Sequence, residues 1–198
     1  MTYQSPAKVN LFLHIISKRD DGYHNLQTIF QLLDYCDELN FDIRNDGKIN
    51  RTQGNENIPL EKDLIIQSAL KLKQLAPSNC GVDVGVIKKI PSGGGLGGGS
   101  SNAATTLIAL NKLWDINLPK TKLIELGKEL GADVPVFIDG RSSWAEGTGE
   151  IISPLSLPRY FYLVVSIKKQ ISTQEIFRHK ALTMSALQRK MSDFSLVS

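Results

Sequence analysis

Pro91 to Ala104 reads PSGGGLGGGSSNAA, two glycine triplets separated by Leu96 and followed at once by hydroxyl and small residues that open a helix. Glycines let backbone N–H groups converge on an anion without interference from Cβ. A helix starting near Ser100 adds unpaired first-turn amides and the positive end of its dipole. The segment therefore predicts a phosphate cradle for a nucleotide. A flexible Gly/Ser linker is the competing reading of such composition. An apolar residue inside the run and an alanine-rich helix closing it in mid-chain argue against a linker. No Lys follows Gly99, and no G-x-G-x-x-G with a ribose-binding acid is evident, so neither a Walker loop nor a dinucleotide fingerprint fits.

Upstream of the loop, Val82, Val84 and Val86 have strand spacing, and Ile65, Ile66, Ala69, Leu70 and Leu72 recur at helical spacing behind Asp63, a plausible N-cap. Near the start, Ala7, Val9, Leu11, Leu13 and Ile15 alternate with Lys8, Asn10, Phe12 and His14, the two-residue period of a half-buried strand that puts Lys8 and Asn10 on one face. Asp21-Gly22 signals a turn, and Leu26–Leu33 and Leu39–Ile43 read as two further strands. Downstream, Ala103, Ala104, Leu107, Ile108 and Leu110 form a helical stripe ending near Trp114. Pro119 opens a second helix stopped by Gly131. Ser143–Ile152 and Phe161–Ile167 read as strands, and Ser172-x-x-Glu175 is a capping box for a short helix through Phe177. Strands preceding and interleaving irregularly with helices predict an α+β fold rather than a doubly wound sheet.

The chain has 198 residues, 41% hydrophobic and 22% charged, with a net charge of +3 spread among acids, so no nucleic-acid footprint is indicated. Two cysteines, Cys36 and Cys80, make no disulfide framework and have no metal-ligand spacing. No secretory leader is evident, and no run reaches the ~18 apolar residues of a membrane span, so a cytoplasmic protein is expected.

SPAKVNLFL at 5–13, DGYHNLQTIFQLLDY at 21–35, the glycine loop at 91–104 and GADVPVF at 131–137 together resemble the GHMP kinase superfamily. The DGYHNLQT segment sets the chain apart from homoserine, mevalonate and galactose kinases. The resemblance implies a ribosomal-protein-S5-like N-terminal domain over 1–157 and the beginning of a ferredoxin-like C-terminal domain over 158–198, with the active site between them. It also implies ATP as co-substrate with Mg2+, and transfer of the γ-phosphoryl group to the 2-hydroxyl of a cytidine-diphosphate-linked methylerythritol in the non-mevalonate isoprenoid precursor pathway. Its partners are thus small molecules, with neither nucleic acid nor membrane; self-association into a homodimer is left open.

Carried over by motif, Lys8 and Asp133 are the catalytic pair. Pro91, Ser92, Gly93, Gly94, Gly95, Leu96, Gly97, Gly98, Gly99, Ser100 and Ser101 bind ATP, and Asn10, Tyr23, His24 and Phe177 bind substrate, with Tyr23 and Phe177 sandwiching the cytosine. No residue is assigned to a metal. Read from the residues alone, Lys8 is equally a solvated strand charge, Asp133 a helix N-cap and Phe177 a core aromatic. Two departures from the family stand out. Asp63 occupies a position where relatives place an Asn toward the adenine, and an ionised carboxylate cannot donate as an amide does. A third motif, a Gly- and Ser/Thr-rich loop near the end, is absent, which predicts a fragment, a truncated chain or a frameshifted product with a non-native tail at Leu196–Ser198. Such a chain would turn over weakly or act only as a binding remnant.

Overall fold

A computed structural model of the chain describes residues 1–158, 160–165, 176–177, 182, 184 and 188–194. Its base is a long antiparallel ribbon formed by β1 (Thr2–Lys18) and β2 (His24–Arg44). The two strands expected within 26–43 are thus one continuous strand of 21 residues. The Asp21-Gly22 turn is where expected, joining β1 to β2.

The apolar alternation expected along β1 does not hold. Leu11 and Leu13 are both 43% exposed, whereas Ala7, Lys8 and Ile15 are buried. The cause is a set of register shifts between Pro6 and Lys8, Asn10 and Leu13, and Ile15 and Ser17, each of which re-aims the side chains that follow. Phe12 consequently points to the side where Trp144 and Phe194 pack on it, with ring centroids 5.7 and 5.0 Å away.

After β2 come β3 (Ile49–Gln53), α1 (Leu64–Lys73), β4 (Gly81–Ile87), α2 (Gly98–Leu113), α3 (Lys120–Leu130), α4 (Val134–Asp139), β5 (Ser143–Glu146) and β6 (Ile151–Pro154). The sheet runs β3-β4-β2-β5-β6, with β1 on β2, and among the described strands only β3–β4 is a parallel pair. The fold is therefore mixed α+β, as expected. The strand anticipated over 143–152 is two, divided by a turn at 147–150. Phe161–Val165 carries no strand, contrary to expectation, and Phe161 and Leu163 are almost fully exposed. Burial against a neighbour is what stabilises such an apolar run as a strand, and Phe161 and Leu163 gain little of it from the described residues. The capping-box residues Ser172 and Glu175, and the tail Leu196–Ser198, lie outside the described residues; Ile176 and Phe177 are helical.

The helices form one layer against the sheet. α2 is nearly buried all round, presenting Ala103, Ala104, Leu107 and Leu110 to a core shared with Phe30, Leu39, Phe41, Val82, Val84 and Val86 of the sheet and Val134 and Phe137 of α4. The small residues at 103, 104 and 109 let sheet and neighbouring helices approach closely, which fixes where the N-terminus of α2 emerges. Leu107 has no solvent exposure. Leu107→Ala is expected to lower unfolding free energy by about 2–5 kcal/mol, the range for emptying a core leucine site, as read by urea denaturation.

Candidate active site

The glycine loop is anchored at its one apolar residue. Leu96 is 5% exposed and packs with Ala7 and Ile90, while its carbonyl accepts a 2.9 Å hydrogen bond from the Lys8 amide of β1. A linker would show neither anchor. Gly97 adopts φ +72° as the N-cap of α2, and Ser101 N donates to Gly97 O at 2.8 Å to close the first turn. The amides before Ser101 therefore remain for a ligand, at the end of the helix that favours an anion.

Lys8 passes directly beneath this loop. Its side chain is 6% exposed, and its ammonium lies 3.1 Å from Asp133 Oδ2, donates to Asn10 Oδ1 at 2.6 Å and sits 5.1 Å from the Phe30 ring centroid. Asn10 is oriented in turn by donating to Thr28 Oγ1 at 2.8 Å. Lys8 is thus not a solvated strand charge. Asp133 occupies the N-cap position of α4, yet its side chain makes no capping hydrogen bond. Its carboxylate turns to Lys8 instead and keeps 34% side-chain exposure toward the cleft. An ammonium paired with a half-open carboxylate at the phosphate end of a cleft is a suitable arrangement for activating an alcohol and offsetting charge on the reacting oxygens.

The cleft is a single cavity of about 1390 Å³. Its walls bring together Lys8, Asn10, Tyr23, His24, the loop from Pro91 to Ser100, Asp133 and Phe177. Ser101 stands apart: it is fully buried in the first turn of α2 and accepts from Ser5 Oγ at 2.8 Å. Phe177 stacks on His24, centroids 5.4 Å apart and planes at 30°, while Tyr23 remains 66% exposed. The turn that presents Tyr23 is braced by Asp21, which accepts from the Tyr23 amide at 3.0 Å. The Arg19 guanidinium, then that amide, holds the Asp21 carboxyl below its ordinary range.

Asp63 caps α1 by accepting from Ile65 N at 2.9 Å, and its other oxygen pairs with Arg51 at 2.8 Å. With 1% exposure, this carboxylate is committed to the fold, though it borders the cavity beside Asn55 and Lys62.

Lys88, Asn102 and the Thr148-Gly149 turn also line the cavity, and sequence reasoning missed them. Only the turn had a signal, the closely spaced glycines at 147 and 149. Burial works to raise the Glu150 carboxyl there, but donation from the Thr148 hydroxyl and amide, each at 2.7 Å, holds it below the usual carboxylate range.

With this geometry established, comparison with known proteins is decisive. Residues 63–141 match the GHMP kinases N terminal domain. A 4-diphosphocytidyl-2-C-methyl-D-erythritol kinase of Ruthia magnifica subsp. Calyptogena magnifica is 58% identical over 98% of this chain and 68% of its own length. The chain belongs to the 4-diphosphocytidyl-2-C-methyl-D-erythritol kinase family. A family member from Nitrosococcus oceani is 53% identical over 92% of this chain and 65% of its own length. The crystal structure of a 4-(cytidine 5'-diphospho)-2C-methyl-D-erythritol kinase aligns with TM-score 0.70 and 39% identity, covering 80% of this chain and 56% of that one. The mevalonate kinase of Methanococcus jannaschii shares the fold, with TM-score 0.56 at 17% identity. The chain thus spans about two thirds of the length of its curated relatives in this kinase family. No helix among the described residues is long and apolar enough to cross a membrane.

The two central loop glycines separate strain from collision. A Cβ on Gly97 would lie 2.8 Å from Phe137 Cζ and 3.1 Å from Lys8 Cε, whereas one on Gly95, at φ +71°, meets nothing within 4 Å. Both Gly95→Ala and Gly97→Ala are expected to weaken ATP binding through the left-handed backbone. Gly97→Ala, which adds the collision to the strain, should lower the melting temperature further than Gly95→Ala does, and it alone should displace Lys8, measured by thermal unfolding beside nucleotide titration.

Proposed function

We propose that this chain transfers the γ-phosphoryl group of ATP to the 2-hydroxyl of 4-diphosphocytidyl-2-C-methyl-D-erythritol, the activity its relatives' name describes and a step of the non-mevalonate isoprenoid pathway. The observation that carries the reading is the Lys8–Asp133 pair, 3.1 Å apart, in the same cavity as the glycine loop and Tyr23.

Asp133 takes the proton of the acceptor hydroxyl as its oxygen forms a bond to the γ-phosphorus. The bond from that phosphorus to the β,γ-bridging oxygen breaks, and ADP departs. Lys8 offsets negative charge beside the reacting oxygens, and Asn10 orients the ammonium. The N-terminus of α2 and the amides of the loop cradle the phosphates from Pro91 through Ser100. Little covalent chemistry is asked of the protein, so positioning and charge supply most of the rate.

Mg2+ suits the donors present. Among the described residues no cluster of three acidic, His or Cys ligands exists, and Mg2+ commonly keeps waters and takes phosphate oxygens with one or two protein oxygens. The Ser100 hydroxyl and the Asp133 carboxylate border the phosphate end and would be those oxygens. Bound there with ATP, the ion would neutralise charge on the β- and γ-phosphates.

At the opposite end Tyr23 and Phe177 hold the cytosine, and His24 reads its polar edge. Residues 1–157 form the nucleotide-binding domain, and residues 158–198 belong to a second unit that supplies Phe177. The reaction belongs to soluble cytoplasmic metabolism, and a homodimer is compatible with it.

A coupled ADP-release assay on the 198-residue chain tests the reading. ADP should appear only when the cytidine-diphosphate substrate is present, and binding of both ligands without release would overturn catalysis by this chain. Asp133→Asn is expected to abolish transfer while ATP still binds; a variant retaining more than a few tenths of the rate would remove Asp133 from the role of base. Tyr23→Ala should cost roughly 1–3 kcal/mol of affinity for the cytidine substrate, one base stack, with nucleotide affinity unchanged in parallel calorimetric titrations.

A further inference from the structure

A buried carboxylate outside the catalytic pair holds both ends of the phosphate loop. Asp37 of β2 has no solvent exposure. Its Oδ1 accepts from the backbone amides of Lys89 and Ile90, at 2.7 and 2.8 Å, immediately before the loop begins at Pro91. Its Oδ2 accepts from the Lys88 ammonium and, at 3.0 Å, from Asn102 Nδ2 in the first turns of α2, immediately after the loop ends. Asn102 Oδ1 accepts from the same ammonium at 2.9 Å, and Asn102 Nδ2 also donates to Ser5 Oγ of β1 at 2.9 Å. The chain therefore leaves the sheet at 88–90 and re-enters the fold at 102 through one carboxylate. Lys88 brings its ammonium close to where the helix starts: a Cβ on Gly98 would lie 3.3 Å from Lys88 Nζ.

We propose that Asp37 is a positioning residue for nucleotide binding, acting through Lys88, Asn102 and the two amides to set the separation of the loop's ends. This rests on the kinase reading of the same cavity. The loop's own side chains cannot do this, because among residues 91–99 only Leu96 has a buried anchor. A glycine-rich segment has wide conformational freedom, so its closure on phosphates depends on fixed ends. A carboxylate is needed rather than an amide because four donors converge on it and none of them can accept.

The test is Asp37→Asn, which keeps size and one acceptor oxygen but sets an NH2 group against the Lys88 ammonium and the Asn102 amide. Affinity for AMP-PNP with Mg2+, and KM for ATP, should worsen about tenfold or more. Affinity for the cytidine substrate, and kcat at saturating ATP, should stay within about twofold. Asp83→Asn is the control: Asp83 lies on β4 and pairs with Arg44 and Asn50, away from the loop, so its loss should leave nucleotide affinity unaltered. Equal losses for both ligands, or unchanged nucleotide affinity in Asp37→Asn, would overturn the proposal while leaving the kinase reading intact. Absence of AMP-PNP binding by the wild-type chain would overturn the kinase reading and this inference with it. Should Asp37→Asn not fold, hydrogen exchange on the wild-type chain decides: the Lys89 and Ile90 amides should exchange slowly and slow further with AMP-PNP, and amides as fast as those of open loops and indifferent to nucleotide refute the role.

Discussion

Lys8 is held twice, and the site depends on it. Its backbone amide secures the phosphate loop through Leu96 O at 2.9 Å, while its ammonium, on the same residue, reaches the Asp133 carboxylate at 3.1 Å. The distance between the glycine loop and the Asp133 carboxylate is thereby set by one side-chain length rather than by the mutual packing of distant elements. A buried ammonium is tolerated only with compensating partners. Asp133, Asn10 and the face of Phe30 provide them. The same desolvation that makes the ammonium costly strengthens its effect on charge developing beside it.

That arrangement explains why the sheet begins with so long a ribbon. β1 must carry Lys8 under the loop, Asn10 beside it and, at its far end, the turn that raises Tyr23 over the other end of the cleft. The register shifts along β1 follow from these separate tasks. A regular strand would keep Leu11 and Leu13 on one buried face, but the ribbon instead turns Phe12 toward Trp144 and Phe194 and leaves the leucines out. Burial is sacrificed there because one edge of the ribbon serves a cleft rather than a core.

The glycine loop, the helix behind it and the helix stopped at Gly131 were legible because each rests on local chemistry: positive φ, capping and 3.6-residue spacing. The pairing of Lys8 with Asp133 was legible only through motif resemblance, since the two are 125 positions apart in the chain and each has an ordinary structural reading alone. The fold brings the two together: Asp133 stands at a helix N-cap position without capping, and Lys8 lies buried against it. What the sequence did not reveal was non-local. The fusion of two expected strands into β2, the shifts in β1 and the convergence of 88–90 with 102 on Asp37 all depend on pairing across the sheet, for which no short window carries a signal.

The fold shared with mevalonate kinase at 17% identity is a likeness of scaffold. Small residues on α2 are a scaffold demand, since they let the helix pack flat on the sheet and so place its N-terminus at the cleft. Tyr23 is the opposite case. At 66% exposure it adds little to the core, and it is held out on a turn braced by Asp21. Apolar surface is thus left wet at one end of the cleft, where Tyr23 stands out on its turn, while burial is nearly complete at the other, where Leu96 packs with Ala7 and Ile90 beside Lys8.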